Sequence, residues 1–67
     1  MKILAELEIR DDVKLVLQRG DYKGSERIDL RQYYKRDGEY IPTKRGISFS
    51  SEWEEKFVEM IEKLKDE

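Results

Sequence analysis

The sequence predicts an α+β fold in which four β-strands are followed by one C-terminal α-helix. Apolar and polar residues alternate through much of the first half of the chain, and turn residues interrupt the alternation. After residue 51 the apolar residues recur at helical spacing instead. The 67 residues are enough for one small domain, so we expect a single domain over residues 1–67.

The first two strands are predicted on either side of a short acidic turn. Apolar residues occupy every second position over residues 3–9, which is typical of a half-buried strand and places Arg10 on the opposite face, with the glutamates. The same alternation continues over residues 13–19. Between the two runs lie Asp11–Asp12, whose short side chains can hydrogen-bond their own backbone in a turn.

The third and fourth strands are predicted from turn residues as well as from alternation. Residues 20–24 have glycine at both ends, which indicates a turn before a third strand over residues 27–34. Asp37–Gly38 is a strong hairpin signal. Pro42 lacks the N–H of a central strand position and indicates an edge or a loop, so the fourth strand is predicted only over residues 47–49.

The last third of the chain predicts an amphipathic helix. Ser51 and Glu54 fit a capping box, in which the serine accepts a hydrogen bond from the first turn and the glutamate reaches back. One apolar stripe follows, and its spacing indicates core packing or a dimer contact rather than a ligand site. The residues of this stripe are Trp53, Phe57, Ile61 and Leu64.

Composition limits how such a chain can be stabilised and what chemistry it can perform. A 67-residue domain has marginal stability alone, and the absence of cysteine excludes disulfides. Self-association is the remaining means of stabilisation, so we expect a homodimer. Histidine is absent too, which removes the usual metal ligands and proton shuttles. We therefore expect no enzyme activity, no cofactor and no metal.

The net charge of −2 conceals an uneven distribution along the chain. Residues 10–46 contain ten Lys or Arg and seven acids, whereas residues 47–67 contain three Lys and seven acids. A basic middle and an acidic tail indicate one surface that faces a polyanion and a solvated helix elsewhere.

No apolar run approaches the roughly 20 residues that a membrane-spanning helix needs. The first ten residues lack the apolar core and cleavage site of a signal peptide. We expect a protein without a membrane partner that is cytoplasmic and nucleoid-associated, or nuclear if the host is a eukaryote.

Cations and tyrosines are interleaved between Arg19 and Arg45. Binding of single strands without sequence readout requires positive charge for phosphates and flat aromatic faces for bases. Lys44 and Arg45 beside Gly46 suggest an anion close to the backbone, although a solvated charge pair beside a bulge glycine accounts for the same residues. Tyrosines are also common in strands for packing reasons alone.

Five short motifs follow one another between residues 21 and 53. They are D-Y-K-G at 21–24, I-D-L-R at 28–31, Y-Y at 33–34, K-R-G-I-S at 44–48 just after a proline, and Trp53. In order and approximate spacing, this set resembles the single-stranded-DNA-binding domain of the positive cofactor four family of transcriptional coactivators. Without an acidic, serine-rich tail, the chain looks like a stand-alone, prokaryote-type version.

The resemblance implies a curved four-stranded antiparallel sheet with a C-terminal helix, paired into a homodimer. Cationic, aromatic-lined grooves of the sheet would hold single-stranded DNA with little sequence preference. We expect both stacking tyrosines to lie on the floor of one trough on the concave side, and Gly46 to let a sugar-phosphate chain approach. The nucleic-acid-binding residues implied by position are Lys14, Arg19, Tyr22, Lys23, Arg31, Tyr34, Lys44, Arg45 and Gly46.

The partners expected from this resemblance are single-stranded DNA and a second copy of the chain, with the transcription machinery as a further partner. Transcription regulation, replication and repair are the processes that such binding would serve. Two alternatives stay open at this point. One is a protein–protein interaction module with incidental nucleic-acid affinity, and the other is a preference for RNA.

Overall fold

A computed structural model describes residues 1–67 as one antiparallel sheet followed by a short helix. The sheet order is β1-β2-β3-β4, so each strand pairs with its neighbour in sequence. The predicted α+β class and element order are confirmed. The strands are β1 (Lys2–Arg10), β2 (Val13–Tyr22), β3 (Ser25–Arg36) and β4 (Glu39–Ser50), and the helix α1 (Glu54–Glu62) lies between 3₁₀ turns at Ser51–Trp53 and Lys63–Lys65.

All three hairpins of the sheet close with two-residue turns, and two of these turns have positive φ at both residues. Lys23 and Gly24 have φ values of 52° and 81°, and Asp37 and Gly38 have values of 52° and 83°. Two successive residues with positive φ match the twist of paired strands, which is why glycine occupies the second position of these two turns. The five-residue turn expected before β3 is wrong, because Tyr22 already belongs to β2.

The first strand departs from simple alternation at two β-bulges. Leu4 and Ile9 have no cross-strand partner, because the register with β2 shifts at both positions. A bulge moves every following side chain to the other face of the sheet. Arg10 therefore pairs with Val13 and shares its face, rather than the face of the glutamates as alternation predicts.

The fourth strand is much longer than the sequence predicts. It pairs with β3 from Arg36–Glu39 to Arg27–Ser50, and its regular pairing is interrupted where Gln32 alone faces residues 43–45. The Thr43 hydroxyl donates a 2.7 Å hydrogen bond to the Gln32 carbonyl and accepts one from the Arg45 backbone N–H. β4 is an edge strand, which tolerates Pro42 within it.

The register assigns each side chain to one of two faces. The helix face carries the odd-numbered residues of β2, from Val13 to Arg19, and their partners on β3, such as Ile28 and Tyr34. The open face carries the even-numbered residues of β2 from Lys14 to Tyr22. The helix lies on the helix face, where the rings of Phe49 and Phe57 stack with centroids 4.7 Å apart.

Very little of the molecule is buried within a single chain. Only five residues are buried, and they are Val13, Val16, Gln18, Ile28 and Asp29. All of β1 is exposed, so the expectation of a half-buried first strand is wrong for the isolated chain. The helix is too short to cover the sheet as far as β1. None of the helices in the structure combines the length and apolar character needed to cross a membrane.

The helical segment begins with the 3₁₀ turn at Ser51, one residue earlier than the capping-box pattern predicts, and α1 itself begins at Glu54. The Ser50 hydroxyl, not that of Ser51, accepts the hydrogen bond from the Glu52 backbone N–H at 3.3 Å. Glu54 forms an ion pair with Arg19 instead of reaching back to the cap. Of the predicted apolar stripe, Phe57 packs on Phe49, while Trp53, Ile61 and Leu64 remain 65%, 46% and 68% exposed.

Gly46 lies where β4 passes closest to β3. A Cβ atom added to Gly46 would lie 2.6 Å from the Leu30 carbonyl oxygen and 2.8 Å from the Cα of Arg31. Both neighbours are backbone atoms of a paired strand, so neither can move without disturbing the sheet. The sheet itself therefore requires glycine at this position, whether or not a nucleic acid also approaches it.

We predict that Gly46→Ala lowers the free energy of unfolding by about 1–3 kcal/mol, as other overpacking substitutions do. Urea denaturation at one fixed protein concentration measures the loss. Ser48→Ala is the matched control on the same strand, and we expect it to change the free energy by less than about 0.5 kcal/mol. Equal stability of Gly46→Ala and the unaltered protein would contradict the close approach.

Candidate nucleic-acid interface

The first candidate surface is a depression on the helix face, at the end of the sheet far from the helix. Arg10, Val13, Tyr34 and Ile41 form one row across the four strands. Tyr34 is 47% exposed, so its side chain is accessible to a stacking partner. The depression has a volume of about 520 Å³, and we call it the Tyr34 depression. Its lining residues are Arg10, Asp12, Val13, Gln32, Tyr34, Thr43 and Arg45.

The second candidate surface lies at the β2–β3 turn on the open face, and we call it the Tyr22 patch. The Tyr22 ring is 63% exposed, and the Lys23 ammonium lies 5.4 Å from its centroid. Tyr22 shares a depression with Met1, Arg27 and Ser48. The Arg27 guanidinium donates a 3.1 Å hydrogen bond to the Ser48 carbonyl oxygen.

The two tyrosines do not share one groove within a single chain. Tyr22 pairs with Ser25, and Tyr34 pairs with Val13, so their side chains point to opposite faces of the hairpin. Nine residue steps separate the two pairs along β2, which is about 30 Å of strand. The expectation of a single trough with both rings on its floor is therefore wrong for one chain.

Arg31 is engaged within the protein rather than free for a phosphate. Its guanidinium holds the two oxygens of Asp29 at 2.8 and 3.1 Å and donates to the Thr43 carbonyl oxygen at 2.8 Å. The hydrogen bond to Asp29 raises the pKa of Arg31, although desolvation opposes the shift. Because Asp29 is buried, the pair fixes the guanidinium of Arg31, whose hydrogen bond to the Thr43 carbonyl oxygen ties β4 to β3 beside the interruption at residues 43–45.

Arg19 and Lys14 are also held by acids of the same chain. The Arg19 guanidinium lies 2.8 Å from Glu54 and 2.9 Å from Glu26, and these hydrogen bonds raise the pKa of Arg19, that to Glu54 most. Arg19 thus connects the helix to the sheet. Lys14 forms an ion pair with Glu6, and this hydrogen bond raises the pKa of Lys14. These cations serve the fold.

Three of the implied phosphate contacts carry no ion pair. Lys23 lies at the Tyr22 patch, Lys44 and Arg45 lie in the exposed interruption of β4, and Arg45 lines the Tyr34 depression. The structure adds two cations that sequence reasoning missed, Arg10 and Arg27, one at each surface. Arg10 was missed because the bulge at Ile9 moves it across the sheet; hydrophobic alternation alone cannot reveal such a shift.

Tyr33 has a structural position on the open face. Its hydroxyl accepts a 2.9 Å hydrogen bond from the buried Gln18 amide, which also contacts the Asp29 carboxylate at 3.3 Å. Every buried side-chain nitrogen and oxygen atom has a hydrogen-bond partner. Gln18, Asp29 and Tyr33 therefore form a satisfied network that fixes β2 against β3. This separates Tyr33, which supports the sheet, from the exposed Tyr34.

Comparison with known proteins gives the family. The family model described as Transcriptional Coactivator p15 (PC4) matches residues 9–60 of the chain. This chain belongs to the PC4 family. The resemblance read from the motifs is confirmed, and the chain is a PC4-like single-stranded-DNA-binding domain. The family binds single-stranded DNA and interacts with the transcription machinery, and its domain is not an enzyme.

The fold agrees with solved members of the PC4 family. BPSL1147, a PC4 homolog from Burkholderia pseudomallei K96243, matches with a TM-score of 0.88 in its orthorhombic crystal form. That alignment has 24% identity and covers 98% of this chain and 90% of the other. The tetragonal form gives a TM-score of 0.81 at 24% identity, over 90% of each chain. At 24% identity, this similarity shows that the two proteins share a fold.

A curated relative matches over a shorter segment. The RNA polymerase II transcriptional coactivator KELP of Arabidopsis thaliana is 44% identical over 32 residues. These residues make up 48% of this chain and 19% of KELP, so the matched segment is a small part of that longer protein.

We predict that Arg31→Ala lowers the free energy of unfolding by about 1–3 kcal/mol, because it leaves the buried Asp29 carboxylate without its guanidinium partner. Arg45→Ala is the control, since Arg45 is exposed and forms no ion pair, and it should change stability by less than about 0.5 kcal/mol. Urea denaturation of both variants makes the comparison. Equal losses would show that the Arg31–Asp29 pair does not anchor the sheet.

Proposed function

We propose that the chain acts as a homodimer that binds single-stranded DNA with little sequence preference, through the Tyr34 depression and the Tyr22 patch. The observation that carries the proposal is the exposed Tyr34 ring beside Arg10 and Arg45, two guanidinium groups that form no ion pair with the protein. Such a surface offers a stacking partner for a base and positive charge for the flanking phosphates.

The energetics favour unpaired nucleotides over a duplex. A base can lie flat on the Tyr34 ring only when it is unstacked from its neighbours, as bases in single strands readily are. Stacking on an aromatic side chain is worth about 1–3 kcal/mol per base. The free cations add a salt-dependent attraction to the phosphates. A duplex offers the phosphates but not the faces of its bases.

The dimer proposal rests on the apolar surface that one chain leaves uncovered. A groove of about 350 Å³ runs between β4 and the helix, with an almost wholly apolar lining. Ala5, Leu7, Leu15, Leu17 and Leu30 line a second apolar hollow on the same face. With only five buried residues, the isolated chain has too small a core for independent stability. A second copy covering these hollows would supply the missing core.

The Tyr34 depression shares no lining residue with either hollow, so we infer that it stays accessible beside the dimer contact. The Ile28–Phe49 row, next to the helix, is six residues along β3 from the Tyr34–Ile41 row, which is about 20 Å. A two-fold dimer would present each tyrosine surface twice. A longer strand could then engage several surfaces at once and gain affinity through their combined binding.

The cellular setting is proposed on the same basis. Family membership supports a role in transcription regulation, and replication and repair provide the same single-stranded ligand. The transcription machinery is a further partner in this proposal, with a cytoplasmic, nucleoid-associated location or a nuclear one in a eukaryote. The apolar groove favours one rival function, a module that binds another protein there and has only incidental affinity for DNA or RNA.

Titration of a labelled oligothymidine at several salt concentrations tests strand binding. The logarithm of the binding constant should fall linearly with the logarithm of salt, by about 0.7 per neutralised phosphate. Arg45→Ala should reduce the magnitude of that slope by about 0.7, the value for one phosphate contact. Lys63→Ala, at the end of the helix, should leave the slope unchanged. Tyr34→Ala should weaken binding by about 1–3 kcal/mol, and Tyr34→Phe should retain most of the affinity.

A duplex of equal length and an oligouridine are the controls for ligand class. Equal affinity for the duplex would contradict strand-selective binding, and tighter binding of oligouridine would assign the surface to RNA. If Tyr34→Ala binds as tightly as the unaltered protein, the Tyr34 depression is not the interface.

Sedimentation equilibrium at micromolar concentration tests the dimer. The unaltered protein should sediment at twice the 8.1 kDa mass of one chain. Met60→Glu places a charge in the apolar groove and should shift the mass to that of a monomer. Val58→Glu is the matched control, because Val58 lies on the same helix outside the groove. A monomeric mass for the unaltered protein would refute the dimer.

A further inference from the structure

The Tyr34 depression contains polar groups that binding without sequence readout does not require. Besides Tyr34 and the two arginines, its lining residues include Asp12 and Gln32. A carboxylate repels phosphate, so its presence in a surface built only for a DNA backbone would weaken binding. Neither side chain has a hydrogen-bond or ion-pair partner within the protein, and both are available to a ligand.

The sheet positions these groups around the ring. Gln32 is two residues before Tyr34 on the same strand, so both side chains point to the helix face. Arg10 lies in the same row as Tyr34, two strands away. The distance between their Cα atoms is about 10 Å, and an extended arginine side chain spans most of it. Asp12 is fixed by its backbone, whose carbonyl oxygen accepts a 2.7 Å hydrogen bond from the Lys35 N–H.

We infer that the Tyr34 depression favours guanine as the one base stacked on the ring, while the other contacts to the strand stay independent of sequence. This rests on the proposed function, since it concerns the same single-stranded ligand. Bases in single strands expose their hydrogen-bonding edges, which side chains can then read. Guanine alone presents two adjacent donors, N1–H and N2–H, on one edge and two acceptors, O6 and N7, on the other side.

The available side chains match that pattern. The Asp12 carboxylate has two acceptor oxygens, so it can accept one hydrogen bond from each of the two guanine donors. Arginine paired with O6 and N7 is the commonest specific contact to guanine, and Arg10 and Arg45 both supply it. Thymine has one ring N–H donor and no exocyclic amine, and cytosine has the amine without an N–H beside it. Adenine suits Gln32 but leaves the carboxylate with one donor group.

Two oligonucleotides of equal length test the inference. One contains thymine only, and the other has single guanines separated by thymines, so that no run of guanines can form a four-stranded structure. We expect the guanine-containing strand to bind about tenfold more tightly, the effect of one good bidentate base contact. Replacing guanine with inosine, which lacks the N2 amine, should remove most of this difference.

The decisive variant is Asp12→Asn, with Asp11→Asn as its matched control. Both substitutions remove one negative charge from the same turn, and asparagine is well tolerated in turns. The ratio of the two affinities should fall to about one in Asp12→Asn and should persist in Asp11→Asn. A purely electrostatic role for Asp12 would alter both affinities together and leave their ratio intact.

Each outcome bears on one of the two proposals. An affinity ratio near one in the unaltered protein, with tight oligothymidine binding, overturns guanine selection and leaves the proposed function standing. A ratio that survives in Asp12→Asn also overturns the assignment. If the unaltered protein binds neither oligonucleotide, the proposed function is refuted, and the inference with it.

Discussion

The sheet has four long strands, while the helix α1 has nine residues and covers only one end of one face. Most apolar residues of the helix face and the helix therefore remain exposed or only half-buried within the chain. The buried set of three apolar residues and two polar ones is too small to hold a domain together alone. This imbalance is the physical basis for the proposed association with a second copy.

The cations divide into two groups with different roles. Arg31, Arg19 and Lys14 are bound to acids of the same chain. The Arg19 pair connects the helix to the sheet and the Lys14 pair connects β1 to β2, while Arg31 reaches β4 through a hydrogen bond to a backbone carbonyl oxygen. Those at the tyrosine surfaces form no such pairs. A phosphate that displaced Arg31 from Asp29 would leave a buried carboxylate uncompensated, which is costly. Cations without partners can meet a phosphate without that loss, so they are the better candidates for DNA contacts.

The sequence predicted the order of the elements, the turns at Asp11–Asp12 and Asp37–Gly38, and the helix, because these depend on local patterns. Alternation and an Asp-Gly pair are sufficient to locate a hairpin. It could not predict the bulges at Leu4 and Ile9, which come from pairing with β2 and reassign every later side chain of β1. For the same reason Arg10 was overlooked. The placement of Tyr22 and Tyr34 on opposite faces depends on the β2–β3 register, which a motif alone does not contain.

The K-R-G motif shows how one segment can serve the fold and the ligand together. Gly46 lets β4 lie against Leu30 and Arg31, and the Thr43 hydrogen bonds hold the irregular segment that precedes it. Because Gln32 alone faces residues 43–45, Lys44 and Arg45 lie outside the regular pairing with β3, and both residues are exposed. The glycine thus acts through the sheet: by fixing where β4 rejoins β3, it determines where the two cations stand. A glycine next to two cations in the sequence therefore indicates that the backbone holds those cations at the surface, even where the glycine itself contacts only the neighbouring strand.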